Sequence, residues 1–195
     1  MMGVMERQDH ERADVSALWS IGHSTRPLDE LVAMLREAGV ERLADVRRYP
    51  GSRRNPQFSA ESLAVSIPGA GIDYVPMPDL GGRRPTRSDS PHTAWRNTSF
   101  RGYADYMDTP EYARASARLA DLARERPTAV MCAEAPWWRC HRSLISDDFK
   151  ARGWKVIHLI NPGRSQEHPW TPAARIVDGK LDYSAPEEGQ PDLFR

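Results

Sequence analysis

Short apolar runs alternate with amphipathic stretches along most of the chain. Five runs have the length and composition that strands favour, and they cover residues 17–21, 41–46, 72–77, 128–132 and 155–160. Between them apolar residues recur at helical spacing, for example at Leu28, Leu31, Val32 and Leu35. This alternation predicts an α/β fold: a three-layer sandwich with a mostly parallel central sheet and helices on both faces.

The ends of the predicted helices carry recognisable signals. Ser59 is placed to cap a short helix over residues 60–67. Thr109-Pro110 is a good start for another helix. A further helix begins at about Cys140, and Gly153 is placed to end it.

The alternation spans residues 16–160, which we predict to form a single α/β domain. Residues 1–15 are predicted to be a flexible leader, and residues 161–195 a C-terminal extension with a small hairpin around Asp178-Gly179. Residues 78–99 form a connection rich in Gly, Pro, Arg and Ser that is too long for a plain turn. We therefore interpret this connection as functional or mobile.

The segments that follow the predicted strands are expected to face one crevice, because ligands of open α/β sheets bind beyond the carboxyl ends of the strands. Gly22, His23 and Ser24 follow the first strand and are candidates to contact the substrate. For His23, a structural hydrogen-bonding role is the alternative. The other polar or reactive residues that follow strands are Arg26, Asp45, Arg47, Arg48, Cys132, Glu134 and Asn161.

Composition narrows the class of protein without identifying its function. The 195 residues are 39% hydrophobic and 28% charged with a formal net charge of zero, as in a globular domain. No apolar run approaches the roughly 20 residues of a membrane span, and the polar N-terminus is unlike a secretory signal. We therefore expect a cytoplasmic protein without a membrane partner, whose two cysteines are free thiols.

Positive charge is concentrated as arginine in one part of the chain. Between residues 47 and 101 there are nine arginines and four acidic residues. A guanidinium group suits bidentate contact with phosphate and stacking on bases. We predict that phosphate is held by Arg47, Arg53, Arg54 and Arg142, and a solvated arginine-rich loop is the alternative.

The segment VMCAEAPWWRCHRSL combines two thiols, a carboxylate and an imidazole. Cys140 lies between two arginines, beside His141 and near a predicted helix start, and such surroundings lower the pKa of a thiol. We predict that Cys140 is a nucleophile with His141 and Glu134 as its proton partners. A structural role for Cys140, and a turn-capping role for Glu134, are the alternatives.

Two further residues are predicted to support this site. Cys132, at the end of a predicted buried strand, either packs as a small apolar residue or acts as a supporting or resolving thiol. Asp45 is placed to form a buried ion pair with Arg47 or Arg142 that holds the geometry of the site.

Metal binding is a rival use of the same atoms. Cys132, Cys140, His141 and His23 together contain the donors of a Cys₂His₂ site. Their spacing fits no zinc-ligand pattern, and adjacent Cys-His ligands are geometrically awkward, so we predict no metal. The glycines in GHSTR and LGGRR match neither a Walker nor a dinucleotide-binding motif, so no cofactor is predicted.

Aromatic residues are interleaved with these arginines. Trp137 and Trp138 are candidates to stack on a base, as are Tyr49, Phe58 and Trp95. Packing in the core is the alternative for each of them. The combined pattern favours a substrate that carries phosphate and a planar ring, that is, a nucleic acid or nucleotide.

Several separated motifs resemble one known family. SIGHSTRPLDEL, LADVRRYPGSRRNPQFS, LGGRR, FRGYADYM and MCAEAPWWRCHRSLI are similar to the family catalogued as domain of unknown function 488, over about residues 18–160. The resemblance implies an α/β fold and supplies no established reaction. The recurring positions it implies are Gly22, His23, Ser24, Asp45, Arg47, Arg53, Phe58, Cys132, Glu134, Cys140, His141 and Arg142.

Cys140-His141-Arg142 also resembles the reactive Pro-Cys-His-Arg segment of alkylguanine DNA alkyltransferases, whose thiolate accepts an alkyl group from a damaged base. Arg139 stands where that family has proline, and the rest of the chain does not resemble it. The resemblance implies thiolate attack on an alkyl carbon, a reaction that imidazole and carboxylate groups assist.

Three functions are therefore expected as alternatives. The leading hypothesis is a cysteine-dependent enzyme that acts on nucleic acid or a nucleotide, for example by alkyl transfer in the repair of DNA base damage. The second is a glycosylase or nucleotide hydrolase in which Glu134 or Asp45 activates water. The third is a non-catalytic nucleic-acid-binding protein.

Overall fold

The computed structural model describes residues 16–51 and 54–186. Its main sheet has six strands in the order β3-β2-β4-β1-β5-β6, of which only β6 is antiparallel to its neighbour. The strands are β1 (Ala17–Gly22), β2 (Arg42–Asp45), β3 (Asp73–Pro76), β4 (Thr128–Cys132), β5 (Lys155–Asn161) and β6 (Arg164–Glu167). The predicted mostly parallel sheet is confirmed. The predicted leader and Arg53 lie outside the described residues.

Five α-helices connect the strands. They are α1 (Leu28–Glu37), α2 (Ala60–Gly69), α3 (Thr98–Met107), α4 (Pro110–Glu125) and α5 (Arg142–Ala151). The side chains of Ser59 and Thr109 accept hydrogen bonds from the first turns of α2 and α4, as their positions in the sequence indicate. Gly153 follows α5 with a positive φ of 81°, a conformation that favours glycine.

The helices cover both faces of the sheet. One core joins α1 and α2 to the face that includes Ile21, Leu43 and Met131. The other core joins α3, α4 and α5 to the face that includes Leu18 and Val130. The three-layer α/β sandwich is therefore confirmed.

The sheet positions a crevice between β1 and β4, which are neighbours in it. After β1 the chain passes to α1 on one face, and after β4 it passes to α5 on the other. Loops that leave adjacent parallel strands in opposite directions open a crevice at the carboxyl ends of those strands.

Strand β6 and helix α3 were not predicted from the sequence. Strand β6 consists of polar, exposed residues, so it carries no hydrophobic pattern. Helix α3 begins at the end of the long connection and contains Gly102, which weakens its helical pattern. A Cβ atom on Gly102 would lie 2.4 Å from the backbone oxygen of Arg84, so the glycine lets the connection pack closely on α3.

The C-terminal segment contains a small antiparallel hairpin. Strands β7 (Arg175–Val177) and β8 (Lys180–Asp182) pair through a turn at Asp178 and Gly179, both with positive φ. None of the helices in the described part of the chain is long and apolar enough to span a bilayer.

Candidate active site

A cleft of about 340 Å³ lies at the carboxyl ends of the central strands. Cys132, Glu134, Cys140 and His141 all line it. They come from the end of β4, the loop after it and the residues before α5. The fold therefore brings the reactive residues of the predicted segment together at the predicted edge of the sheet.

The end of β1 holds the loop that carries Cys132 and Glu134. The backbone N–H groups of His23 and Ser24 donate to the carbonyl oxygens of Cys132 and Ala133 at 3.0 and 2.8 Å. A Cβ atom on Gly22 would lie 1.9 Å from the carbonyl oxygen of Glu134. Gly22, His23 and Ser24 thus support the loop through their backbones, whereas the sequence suggested that they contact substrate.

The His23 ring has partners on both nitrogens. Its Nδ1 lies 2.9 Å from the carbonyl oxygen of Ser24, and its Nε2 lies 3.1 Å from Nη1 of Arg47. Because an arginine can only donate, Nε2 accepts and Nδ1–H donates, which fixes a neutral tautomer. Burial lowers the pKa of His23 in agreement with this assignment. The structural alternative for His23 therefore fits the geometry.

Asp45 and Arg47 form the buried ion pair that the sequence suggested. Arg47 donates from Nε to Oδ1 at 2.8 Å and from Nη2 to Oδ2 at 2.5 Å. Tyr74 also donates to Oδ2 of Asp45, and Nη1 of Arg47 donates to the carbonyl oxygen of Phe58 at 2.8 Å. Arg47 lines the cleft, but four of its five N–H groups are directed at protein acceptors, and both oxygens of Asp45 accept hydrogen bonds from the protein.

Arg142 is only 1% exposed and links the parts of the site. Its Nε donates to Sγ of Cys140 at 3.3 Å, and its Nη1 donates to Oγ of Ser20 at 3.1 Å. Its Nη2 donates to the backbone oxygens of Glu134 and Ala135. The guanidinium group of Arg142 therefore faces the interior rather than the cleft, unlike the phosphate-binding position that the sequence suggested.

Cys140 lines the cleft, although it is only 4% exposed. Its sulfur accepts from Nε of Arg142 and, at 3.4 Å, from the backbone N–H of Arg142 at the start of α5. Burial alone would raise the pKa of this thiol. The hydrogen bond with Cys132 and the positive charges of Arg142 and His141 outweigh that cost and hold the pKa well below its usual range.

Cys132 differs from Cys140 in its protonation. Its thiol donates to Oε2 of Glu134 at 3.0 Å. The hydrogen bond with Cys140, together with burial, raises the pKa of Cys132 well above its usual range. The two cysteines therefore differ in charge: Cys140 is the negatively charged thiolate, and Cys132 is the neutral thiol.

His141 presents one nitrogen to both sulfurs. Its Nδ1 lies 3.9 Å from Sγ of Cys132 and 3.9 Å from Sγ of Cys140. Its Nε2 lies 3.0 Å from the carbonyl oxygen of Val46. A carbonyl oxygen only accepts, so Nε2–H donates to it, and in the neutral ring Nδ1 directs its lone pair towards the sulfurs.

Three arginines at the cleft were not predicted as phosphate ligands. Arg48, Arg83 and Arg139 line the cleft, and among the described residues no carboxylate forms an ion pair with any of them. The LGGRR motif and the arginine before Cys140 were the available sequence signals. Arg54 is exposed but does not line the cleft, and Arg53 is outside the described residues.

The predicted stacking residues separate into buried and exposed groups. Trp137 is 7% exposed and stacks on His158 with ring centroids 4.4 Å apart, and Phe58 is fully buried against His23. These two rings are part of the core. Trp138 is 55% exposed outside the cleft lining, whereas Tyr49 is 64% exposed and lines the cleft.

Comparison with known proteins gives a family match and no individual relative. The family described as Domain of unknown function DUF488 matches residues 27–148. Neither the curated proteins nor the solved structures gave a significant match. The matched region contains β2 to β4, the cleft residues and most of α5.

Proposed function

Because the chain belongs to the family described as Domain of unknown function DUF488, whose description assigns no reaction, we propose a function from the site itself. The protein is a cysteine-dependent enzyme that acts on a nucleic acid or a nucleotide, with Cys140 as the nucleophile. Alkyl transfer from a damaged base to the sulfur is the reaction that this arrangement fits best.

The position of the Cys140 sulfur carries the proposal. The sulfur lies at the wall of the cleft and accepts two N–H groups of Arg142, one from the guanidinium and one from the start of α5. Both contacts stabilise negative charge on sulfur, and the thiolate is the nucleophilic form of cysteine. Nδ1 of His141 is the nearest base.

The proposed reaction balances with these groups alone. The Cys140 thiolate, whose proton is held on Nδ1 of His141, attacks the alkyl carbon of the damaged base. A carbon–sulfur bond forms while the bond between the alkyl carbon and the base breaks, and its electron pair stays on the base. The base then receives the proton from His141, so the products are a thioether on Cys140 and the repaired base.

The cleft supports an anionic substrate. Arg48, Arg83 and Arg139 supply three guanidinium groups without ion-pair partners among the described residues. Tyr49 adds an exposed aromatic ring on the same wall. Guanidinium groups beside an aromatic ring suit phosphate and a planar base. We place this activity in the cytoplasm, where two free thiols stay reduced.

A second candidate function uses Glu134. Glu134 is exposed, and its carboxylate lies in the cleft beside Cys132. A carboxylate in that position can activate water for a glycosylase or a nucleotide hydrolase. A non-catalytic nucleic-acid binder, the third hypothesis, would use the arginines alone.

Intact-protein mass spectrometry separates these functions. After incubation with an oligonucleotide that carries an alkylated base, we expect a mass gain of one alkyl group, mapped by peptide analysis to Cys140. The gain should vanish in Cys140→Ala and persist in Glu134→Gln.

An altered oligonucleotide with an unchanged protein mass, lost only in Glu134→Gln, would support the hydrolase instead. Binding without change to protein or oligonucleotide, weakened by Arg83→Ala and Arg139→Ala, would support the non-catalytic binder.

A further inference from the structure

We infer that Cys132, Cys140 and His141 bind one zinc ion, with three protein ligands and an open position that faces the cleft beside Glu134. The sequence left this possibility aside because the residues match no zinc-ligand spacing. The inference goes beyond the proposed function and does not depend on which reaction the cleft performs.

The three donor atoms are close enough to share one ion. Sγ of Cys132, Sγ of Cys140 and Nδ1 of His141 all lie within 4.8 Å of one another. Each sulfur is 3.9 Å from Nδ1. Zinc bonds of about 2.3 Å to sulfur and about 2.1 Å to nitrogen at a tetrahedral angle imply a sulfur–nitrogen separation of about 3.6 Å. Each sulfur–nitrogen separation therefore needs to shorten by only a few tenths of an ångström.

The orientation of His141 is that of a metal ligand. Its Nε2–H donates to the carbonyl oxygen of Val46 at 3.0 Å. Histidine ligands usually donate their second ring N–H to a carbonyl or carboxylate oxygen, which fixes the tautomer and directs the other nitrogen at the metal. Adjacent Cys-His ligands looked awkward in the sequence. They work here because the Cys140 side chain and the His141 ring converge on Cys132.

The surroundings keep space for an ion. A Cβ atom on Gly82 would lie 2.9 Å from Nδ1 of His141, so the glycine leaves the ligand nitrogen uncovered. Arg142 donates two N–H groups to Sγ of Cys140, an arrangement that stabilises a thiolate ligand from outside the metal shell.

The ligand set leaves the metal open to the cleft. His23, the fourth ligand considered from the sequence, uses both ring nitrogens for hydrogen bonds to Ser24 and Arg47. All three remaining ligands line the cleft. Three protein ligands with an open fourth position are typical of catalytic rather than structural zinc. A coordinated thiol is deprotonated, so zinc is compatible with attack by Cys140, and it equally suits activation of water near Glu134.

Metal analysis of the full-length protein tests the inference. We expect about one zinc per chain after expression in zinc-supplemented medium and purification without a metal-affinity step. Cys132→Ser, Cys140→Ser and His141→Asn should each lower the zinc content about tenfold or more. The matched control is Arg139→Ala, which changes a neighbouring cleft residue without removing a donor and should retain the metal.

A spectroscopic measurement on the wild type keeps the inference testable even if a variant fails to fold. Replacement of zinc by Co²⁺ in the wild type should give a thiolate-to-cobalt charge-transfer band. Fewer than about 0.1 zinc per chain in the wild type together with no such band would overturn the inference. Full zinc content in a folded His141→Asn or Cys132→Ser variant would also overturn it. Both measurements are made without substrate, so their result is independent of whether Cys140 accepts an alkyl group.

Discussion

Helix α5 connects two clusters that use similar residue types for different purposes. The cleft cluster consists of Cys132, Glu134, Cys140 and His141, at the start of the helix. The interior cluster is centred on the helix itself and consists of Asp147, His158, His168, Thr171 and Tyr183. Both contain histidine and a carboxylate, so residue type alone does not distinguish a candidate active site from a structural network.

The carboxylate of the interior cluster is fully used by protein partners. Asp147 accepts from Nε2 of His168 at 3.0 Å, from the backbone N–H of Thr171 at 3.1 Å and from its hydroxyl at 2.6 Å. The Tyr183 hydroxyl adds a bond of 2.9 Å. These bonds attach the segment after β6 to the main domain, because Thr171 and Tyr183 both belong to that segment.

The two histidines of the interior cluster are hydrogen-bonded to each other. Nε2 of His158 lies 2.9 Å from Nδ1 of His168, whose Nε2–H faces Asp147. Burial, together with the positive charge of His168 and Arg142, lowers the pKa of His158 to about 2. His158 is therefore neutral at ordinary pH; its Nε2 is hydrogen-bonded to His168, and its buried Nδ1 has no partner among the described residues.

The cleft cluster differs because its polar atoms face open space. Nδ1 of His141 is within 3.9 Å of two sulfurs but has no closer partner among the described residues, and Glu134 lies at the cleft. We conclude that polar atoms facing open space identify the candidate site, because Nδ1 of His158 in the interior cluster, unpaired within the described part of the chain, is buried, whereas the cleft cluster lines the cleft. Four substitutions, in three steps ordered by their expected effect on the free energy of unfolding, test this contrast.

The largest loss of stability is expected for Asp147→Ala. The substitution leaves the donors of His168, Thr171 and Tyr183 without their acceptor inside the protein, which should cost about 3–5 kcal/mol. Urea unfolding followed by circular dichroism measures the change. Asp121→Ala on the exposed face of α4 is the matched control and should stay within about 0.5 kcal/mol of the wild type. A loss below about 1 kcal/mol for Asp147→Ala would contradict the structural role of the interior cluster.

An intermediate loss of stability is expected for Gly22→Ala. The added methyl group meets the carbonyl oxygen of Glu134 and displaces the loop between β4 and α5, at a cost of about 1–3 kcal/mol. The rate at which iodoacetamide labels Cys140 should change as well. Gly69→Ala, where a Cβ atom meets nothing within 4 Å, is the control and should cause no loss. Equal stability and equal labelling of the two variants would show that the loop does not depend on Gly22.

The smallest loss of stability is expected for Arg83→Ala and Arg139→Ala. Neither exposed side chain forms an ion pair among the described residues, so each change should stay within about 0.5 kcal/mol. Oligonucleotide binding should nevertheless weaken, and the slope of log K against log salt concentration should fall by about one per arginine. Arg118→Ala, an exposed change on α4, should alter neither quantity. An unchanged slope in the two cleft variants would exclude these arginines as phosphate ligands.

Much of the fold was predictable because its strands are apolar and its helix ends are marked by local signals. All five parallel strands lie at the predicted places, and Ser59 and Thr109 cap α2 and α4 as expected. Strand β6 was missed because its four residues are polar and exposed on both sides. It is held by antiparallel pairing with β5 across the turn at residues 162–163, and these backbone hydrogen bonds leave no hydrophobic pattern in the strand itself.

The sequence predicted the position of the candidate site better than it predicted the roles of the individual residues. The rule for parallel sheets placed Cys132, Glu134, Cys140 and His141 together, and the structure agrees. The roles of the arginines were not predictable. Arg47 and Arg142 have the same side chain as Arg83 and Arg139, yet the first two are buried and bond to buried acceptors, whereas the second two are exposed at the cleft, which Arg47 also lines.

The sequence by itself determined the five parallel strands, most of the helices and the chain segments that carry reactive groups, because these depend on local hydrophobic pattern and backbone preference. Only the tertiary structure decided which nitrogen of His141 faces the sulfurs, which cysteine is charged and which arginines remain unpaired. Those properties depend on burial and on partners up to 122 residues away, as in the bond between Arg142 and Ser20. Such contacts exist only once the chain has folded.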